Sequence, residues 1–297
     1  MIPLGLKIGM IGLDTSHVEI FTKLLHDQSS QFNLAKVILG CPSPSEDLAL
    51  SRDRVNQFTN ILKDTYHVTI TDSIETIAEQ TDAIMITAVD GRNHLELFKH
   101  VAHYQKPVFI DKPLAITVQE AQEIFAISEY YNTPIMSSSS LRYAESLQEE
   151  ITRSKKTGQK PTGIYLNSPL PFIKEMPYYF WYGIHMIEIL VTILGPHYKS
   201  VHVHGNDNYD VITAEWQDHR FGIIRGDHKW HGKFEALLHY EDKSIHLPIY
   251  QDQTSYYACL LKEIISFFET GKNPIPKEET LGIIQLIEDA NEKRKIV

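Results

Sequence analysis

The sequence predicts an α/β protein, with a doubly wound parallel sheet in its first half and an α+β domain carrying a mostly antiparallel, open-faced sheet in its second. Three observations support this. Short apolar runs alternate with amphipathic stretches up to about residue 140. Those runs are continuously apolar, as strands covered on both faces are. Beyond that point the pattern becomes a series of strand-like runs separated by turn residues.

The apolar runs of the first half are Leu6–Ile11, Leu34–Leu39, Val68–Thr71, Ala83–Thr87, Val108–Ile110 and Pro134–Met136. Helical stripes lie between them, with Val18, Phe21, Leu24 and Leu25 forming one and Leu95, Phe98, Val101 and Ala102 another. Strand, helix and strand repeated in this way predict a Rossmann-type sheet, which binds ligands at the carboxyl ends of its strands. A helix-like stretch follows at Leu141–Ser154. The polar loop Lys155–Pro161 lies close to the expected division into domains 1–140 and 141–297. In the second half a helix is expected at Gly183–Leu194, stopped by Gly195-Pro196. Strands are expected at Ser200–His204, Val211–Trp216, Gly222–Ile224, Phe234–Tyr240 and Ser244–Ile249, and helices near Tyr256–Glu269 and Glu278–Lys293 close the chain.

The composition narrows the function. A length of 297 residues suits about two domains, and 42% hydrophobic with 22% charged residues is ordinary for a globular protein. The net charge of -10 and the lack of a basic run leave no footprint for nucleic acid. Two cysteines are too few for a disulfide framework or a thiolate zinc cage. The start, Met1 to Ile8, lacks the pattern of a signal peptide, and the apolar stretch Ile184–Leu194 is too short to cross a bilayer. The expected location is the cytoplasm, away from membranes.

Candidate chemistry begins at Gly9-Met10-Ile11-Gly12-Leu13-Asp14-Thr15-Ser16-His17, which follows the first strand and opens the first helix. That is the context in which a G-x-G-x-x-G fingerprint cradles a diphosphate. Gly12 fits the fingerprint, whereas Asp14 and His17 stand where its second and third glycines would be. A carboxylate at the second position would repel phosphate, so a plain strand–helix turn is the alternative. Ser16 and Glu19 have capping-box spacing, which places the helix start at Ser16 and aims its first amides at an anion. The end of the second strand lacks an acid for the adenosine ribose. Ser43, Ser45 and Arg52 could meet a 2′-phosphate, but Glu46 and Asp47 oppose it, so NAD and NADP both stay open.

Asp111-Lys112-Pro113 directly follows the fifth strand, and the proline holds Lys112 in extended backbone at the sheet rim. Lys112 could bond a substrate hydroxyl there, or be an ordinary solvated lysine. His185 and Glu188 share a helix face at i and i+3. They could form an oriented acid/base pair, supply two metal ligands, or be a structural pair. The aromatic run Tyr178–Tyr182 could stack on a sugar or fill a core. His202, His204, His228 and His231 read as surface or sheet-packing residues.

In order and spacing these features resemble the Gfo/Idh/MocA family, the glucose–fructose oxidoreductase and inositol dehydrogenase group, over nearly the whole chain. The resemblance is carried by Gly12, by Thr87 and His94, and by Asp111-Lys112-Pro113 in place of Glu-Lys-Pro. Arg142-Tyr143 and Gly183-x-His185-x-x-Glu188 complete it. It implies hydride transfer between NAD or NADP and a hydroxyl-bearing carbon of a sugar, polyol or related substrate. Cofactor contacts would come from Gly12, Leu13, Asp14, Thr15, Ser16, His17, Thr87, His94, Asp111, Lys112 and Arg142. Lys112 would orient substrate and cofactor, His185 would take the hydroxyl proton, and Glu188 would orient that imidazole or bind substrate. A homodimer or homotetramer through the open face of the C-terminal sheet is also implied. The chain departs from the family at Asp14 and His17, at the missing ribose acid, and at Trp181, where an acid usually stands. Other readings are a non-redox sensor or binding relative, a relative using bound NAD in glycoside hydrolysis, and a metal-dependent hydrolase or lyase built on His185 and Glu188.

Overall fold

The computed structural model describes residues 5–27, 32 and 35–294. Leu34 of the second expected strand and Met1–Leu4 of the start lie outside the described residues. The chain forms two compact units, and the division is not a single cut. The first unit comprises Met1–Ala115, Gln119–Ser138 and Leu261–Ile275, and the second Ile116–Val118, Ser139–Leu260 and Pro276–Val297.

In the first unit, strands β1 (Leu6–Ile11), β2 (Ala35–Cys41), β3 (Thr69–Ile70), β4 (Ala83–Ile86), β5 (Val108–Ile110) and β6 (Ile135–Met136) lie in the order β3-β2-β1-β4-β5-β6. Each neighbouring pair is parallel. The helices between them are α1 (Ser16–His26), α2 (Ala49–Arg52), α3 (Val55–Asn60), α4 (Ile74–Gln80), α5 (His94–Ala102) and α6 (Val118–Tyr131). Every residue of β4 and β5 is buried, which is why those segments read as unbroken apolar runs. Val18, Phe21 and Leu25 of α1 are buried, and Phe21 meets Phe109 of β5 edge-on. The strand order reverses between β1 and β4, the switch point at which such sheets take ligands.

In the second unit, β7 (Gly163–Pro169), β8 (Tyr198–Gly205), β9 (Tyr209–Trp216), β10 (Phe221–Asp227), β11 (Glu235–His239) and β12 (Ser244–Leu247) lie in the order β12-β11-β7-β10-β9-β8. β7 and β10 run parallel and the other neighbours antiparallel. Residues of β9 alternate strictly between buried and half-buried, the signature of a sheet with one covered face. The sequence reading placed no strand at β7, although it lies between β11 and β10. Pro161 and Pro169 bracket it, and such turn signals hide the alternation of buried Ile164, Leu166 and Ser168.

The helices of this unit are α7 (Glu145–Thr157), α8 (Gly183–Leu194) and α10 (Lys277–Arg294), while α9 (Tyr256–Thr270) runs across the boundary of the two units. The helix expected at Leu141–Ser154 is broken. A 3-10 turn spans Ser140–Tyr143, Ala144 is extended at ψ 135°, and α7 then runs to a left-handed Gly158. α8 is buried along most of its length, and Gly222 of β10 lets it approach. A Cβ at Gly222 would fall 2.2 Å from Leu190 Cδ1.

Candidate functional site

The first unit gathers Gly12, Leu13, Asp14, Thr15, Ser16, His17, Thr87, His94, Asp111 and Lys112 at the carboxyl ends of β1, β4 and β5. Gly12 has φ +85°, and a Cβ there would lie 2.4 Å from the backbone of Ala88. Only glycine allows that approach. Its N–H donates to Cys41 O at 2.9 Å, the Leu13 N–H donates to Pro42 O at 2.9 Å, and the Thr87 hydroxyl donates to Gly12 O at 2.7 Å. The turn is thus tied to the ends of β2 and β4. The side chain of Leu13 is fully buried.

Asp14 turns inward. Its Oδ1 accepts from the Val89 N–H at 2.8 Å and its Oδ2 from the Ser51 hydroxyl at 2.5 Å, and none of the residue is exposed. Burial pushes its carboxyl above the usual carboxylate range, and the Ser51 and Val89 bonds only partly oppose the rise. The capping box expected at Ser16 and Glu19 does not form. Thr15 is the N-cap, in extended backbone, Ser16 is the first helical residue, and no side chain caps the turn. A first turn left to its amides suits an anion.

His17 lies at the third glycine position, and its Nδ1–H donates to Asp111 Oδ2 at 2.5 Å. Asp111 Oδ1 accepts from the Lys112 N–H at 2.8 Å. Burial raises the Asp111 carboxyl, but the charge and hydrogen bond of His17 together with Lys112 outweigh it and hold it below the usual range. The peptide Lys112–Pro113 is cis, and Lys112 is half-buried. His94, fully buried, sets its ring nitrogens 2.8 Å from Pro113 O and 2.8 Å from Ala88 O, joining the exits of β4 and β5. Beyond β2, Asn93 Nδ2 donates to Ser45 Oγ at 2.6 Å, Arg92 is bound to Asp90 and Asp47, and Arg52 to Asp53 and Glu46 O.

The second unit brings Arg142, His185 and Glu188 together. The Arg142 Nε–H donates to Glu188 Oε1 at 2.7 Å, and its Nη1 donates to Glu279 Oε1 at 2.6 Å. Arg142 Nη2 is buried with no partner. Burial opposes the charge on this guanidinium, but Glu188 and Glu279 prevail and keep its pKa above the ordinary value. Glu188 Oε2 accepts from the Ser139 N–H at 2.9 Å. His185 Nδ1 lies 2.6 Å from Ser139 Oγ, which also accepts from the Leu141 N–H at 3.2 Å. Sequence reasoning missed Ser139 because no motif spacing marks a residue 46 positions from its partner. The same holds for Ser51 and Val89 beside Asp14.

Aromatic rings flank His185. Its centroid lies 5.5 Å from Tyr182 and 6.3 Å from Phe234, and Trp230, 54% exposed, lies 5.1 Å from Tyr182. Tyr179 and Phe180 of the same aromatic run are core residues. His202 and His204 are exposed on one face of β8, whereas His228 sits beside the fully buried Asp210 at 3.3 Å. Among the described residues no three His, Cys, Asp or Glu side chains are grouped to hold a metal ion, and no helix is long and apolar enough to cross a membrane.

Residues 6–138 match the model of the GFO_IDH_MocA oxidoreductase family, whose fold is an NAD-binding Rossmann fold. No curated protein matches by sequence. A probable dehydrogenase from Thermotoga maritima superposes with a TM-score of 0.79 at 17% identity, covering 98% of this chain and 97% of that one. Apo scyllo-inositol dehydrogenase from Lactobacillus casei gives 0.80 at 15% identity, over 99% and 97%. The same enzyme with bound NAD(H) and scyllo-inositol gives 0.79 at 13%, over 97% and 96%. At these identities the superpositions establish a shared fold along both chains. Together with the glycine turn, the Asp-Lys-Pro rim and the parallel sheet, the match over residues 6–138 shows that the first unit is similar to the NAD-binding Rossmann domain of the Gfo/Idh/MocA oxidoreductase family.

Proposed function

We propose that the chain is an NAD(P)-dependent oxidoreductase acting on the CH–OH group of a sugar, polyol or cyclitol. The single observation that carries this reading is the inward binding of Asp14. Its carboxyl is buried, bonded to Ser51 and Val89 and raised in pKa, so it does not present an exposed negative charge at the diphosphate turn. The sensor reading, which leaned on that charge, loses its support. When bound, the nicotinamide accepts or returns a hydride.

In this reading the first turn of α1, from Gly12 to His17, holds the diphosphate, with Thr87, His94 and Asp111 keeping the turn and the strand exits in place. Lys112 orients substrate, His185 takes or returns the hydroxyl proton, and Arg142 Nη2 is the donor left over for a ligand oxygen. The rings of Tyr182 and Trp230 offer apolar faces to a cyclic polyol. The structural neighbour crystallised with scyllo-inositol supports that substrate class. Residues 1–140 serve the cofactor and 141–297 the substrate. The half-exposed Tyr165, Val211, Ile223 and Leu237 on the open sheet face support self-association as a homodimer or homotetramer. The proposed location is the cytoplasm, consistent with a chain of only two cysteines.

Calorimetric titration with NAD and NADP in both redox states tests the reading. Binding of at least one form is expected, followed by turnover in a nicotinamide absorbance screen over sugars, inositols and their acids. Failure of every form to bind overturns it.

A further inference from the structure

We propose that Ser139 is the positioning residue of His185, a task that the helical spacing assigns to Glu188. The inference rests on the reading of His185 as the proton-transfer group. Glu188 lies one turn along α8, but its two oxygens accept from Arg142 Nε–H and from the Ser139 backbone N–H. The atom on His185 Nδ1 is the hydroxyl oxygen of Ser139, at 2.6 Å. Ser139 is fully buried at the start of the 3-10 turn, held on its amide by Glu188 and on its hydroxyl by the Leu141 N–H.

A hydroxyl has two acceptor sites and one donor proton. One acceptor site of Ser139 takes the Leu141 N–H, and in the proposed tautomer the second takes the Nδ1–H of His185, the direction that nitrogen-15 NMR reads. That arrangement places the ring proton on Nδ1 and makes Nε2 the basic nitrogen. On oxidation the substrate O–H would break as its proton bonds to Nε2, and a bound oxidised nicotinamide would supply the acceptor for the electron pair of the adjacent C–H bond. On reduction Nε2–H returns the proton. The Nδ1–H bond to Ser139 persists through both.

The choice of serine has a physical consequence. A carboxylate on Nδ1 would favour the imidazolium by Coulombic attraction and raise the pKa of the ring. A neutral hydroxyl fixes the orientation without that attraction. Glu188 is paired with Arg142, which also binds Glu279, and it holds the Ser139 backbone N–H, so it also supports the position of Ser139.

Nitrogen-15 NMR of histidine-labelled protein tests this without cofactor or substrate, with H185N identifying the resonances. Above the titration of the ring, His185 should show a protonated Nδ1 and an unprotonated Nε2. S139A should lose that preference and S139T should keep it. In turnover, S139A should lower kcat about ten- to a hundredfold and move the pH profile, with cofactor Kd unchanged and S139T restoring most of the rate. A wild-type ring protonated on Nε2 overturns the proposal even if S139A does not fold. So does an S139A protein with the wild-type tautomer and rate. Should H185N turn over like wild type, the proton-transfer reading fails separately, and the spectrum still reports whether Ser139 holds the ring.

Discussion

Asp14 and Glu188 are both buried carboxyl groups, and each is bonded by a backbone N–H and a side chain, yet the two regions around them are built on opposite principles. Asp14 is bonded only by neutral donors, the Ser51 hydroxyl and the Val89 amide, and burial raises its pKa. Glu188 faces a guanidinium that is itself shared with Glu279. The turn at Gly12 points the Asp14 carboxyl inward, and burial raises that pKa, where an anionic ligand is expected. The helix at His185 retains charges but pairs Glu188 with Arg142, and the Ser139 hydroxyl lies on the imidazole Nδ1. The partners of a carboxylate, and so its environment, are set by the fold rather than by its place in a motif.

The largest expected effect breaks the charged region. R142A leaves Glu188 buried without its cation and should cost about 3–5 kcal/mol in urea unfolding. R142M combined with E188Q should recover part of that loss, and a double variant as unstable as R142A would show that packing, not charge, dominates. H185N, which leaves both carboxyl groups intact, should lower kcat at least about a hundredfold with cofactor affinity nearly unchanged. Equal rates in variant and wild type would remove His185 from the mechanism.

On the other side, G12A forces a side chain into a left-handed turn and onto the Ala88 backbone. It should cost about 2 kcal/mol or more and weaken dinucleotide binding, read by thermal melting and calorimetry. D14A, which strands the Val89 N–H and the Ser51 hydroxyl, should cost about 1–3 kcal/mol, whereas D14N should stay within about 1 kcal/mol of wild type.

The pH dependence sharpens the contrast within the first unit. The pKa of Asp14 is raised on folding, so its contribution to stability is full below the unfolded value of about 3.9 and is lost as pH rises through the folded value. Relative to D14N, wild type should therefore lose stability as pH rises. Asp111 is depressed, so its contribution is present above about 3.9 and lost as pH falls through the folded value. D111N should be less stable than wild type at neutral pH and converge with it in acid. Denaturant midpoints across pH for both variants would show whether the two slopes have opposite sign.

Much of the fold was legible in the residues. The apolar runs at Leu6–Ile11 and Val108–Ile110 are β1 and β5 to the residue, and Gly183–Leu194 is α8. These elements are read well because burial on both faces, or along a helix, leaves a local pattern. β7 was not read, because its neighbours in the sheet rather than its own sequence make it a strand. The glycine requirement at Gly12 was visible, but its structural reason, the approach of Ala88, was not.

By itself the sequence determined the doubly wound first half, the alternating strands of the second, the glycine turn, the lysine rim and the helix that carries His185, since each is written in residues close together along the chain. Only the tertiary structure decided what the polar groups do. Ser51 reaches Asp14 across 37 positions, Val89 across 75, and Ser139 reaches His185 across 46. Such partners are chosen by strand order and crossing helices, and a buried polar group must take whichever donor or acceptor the fold brings to it.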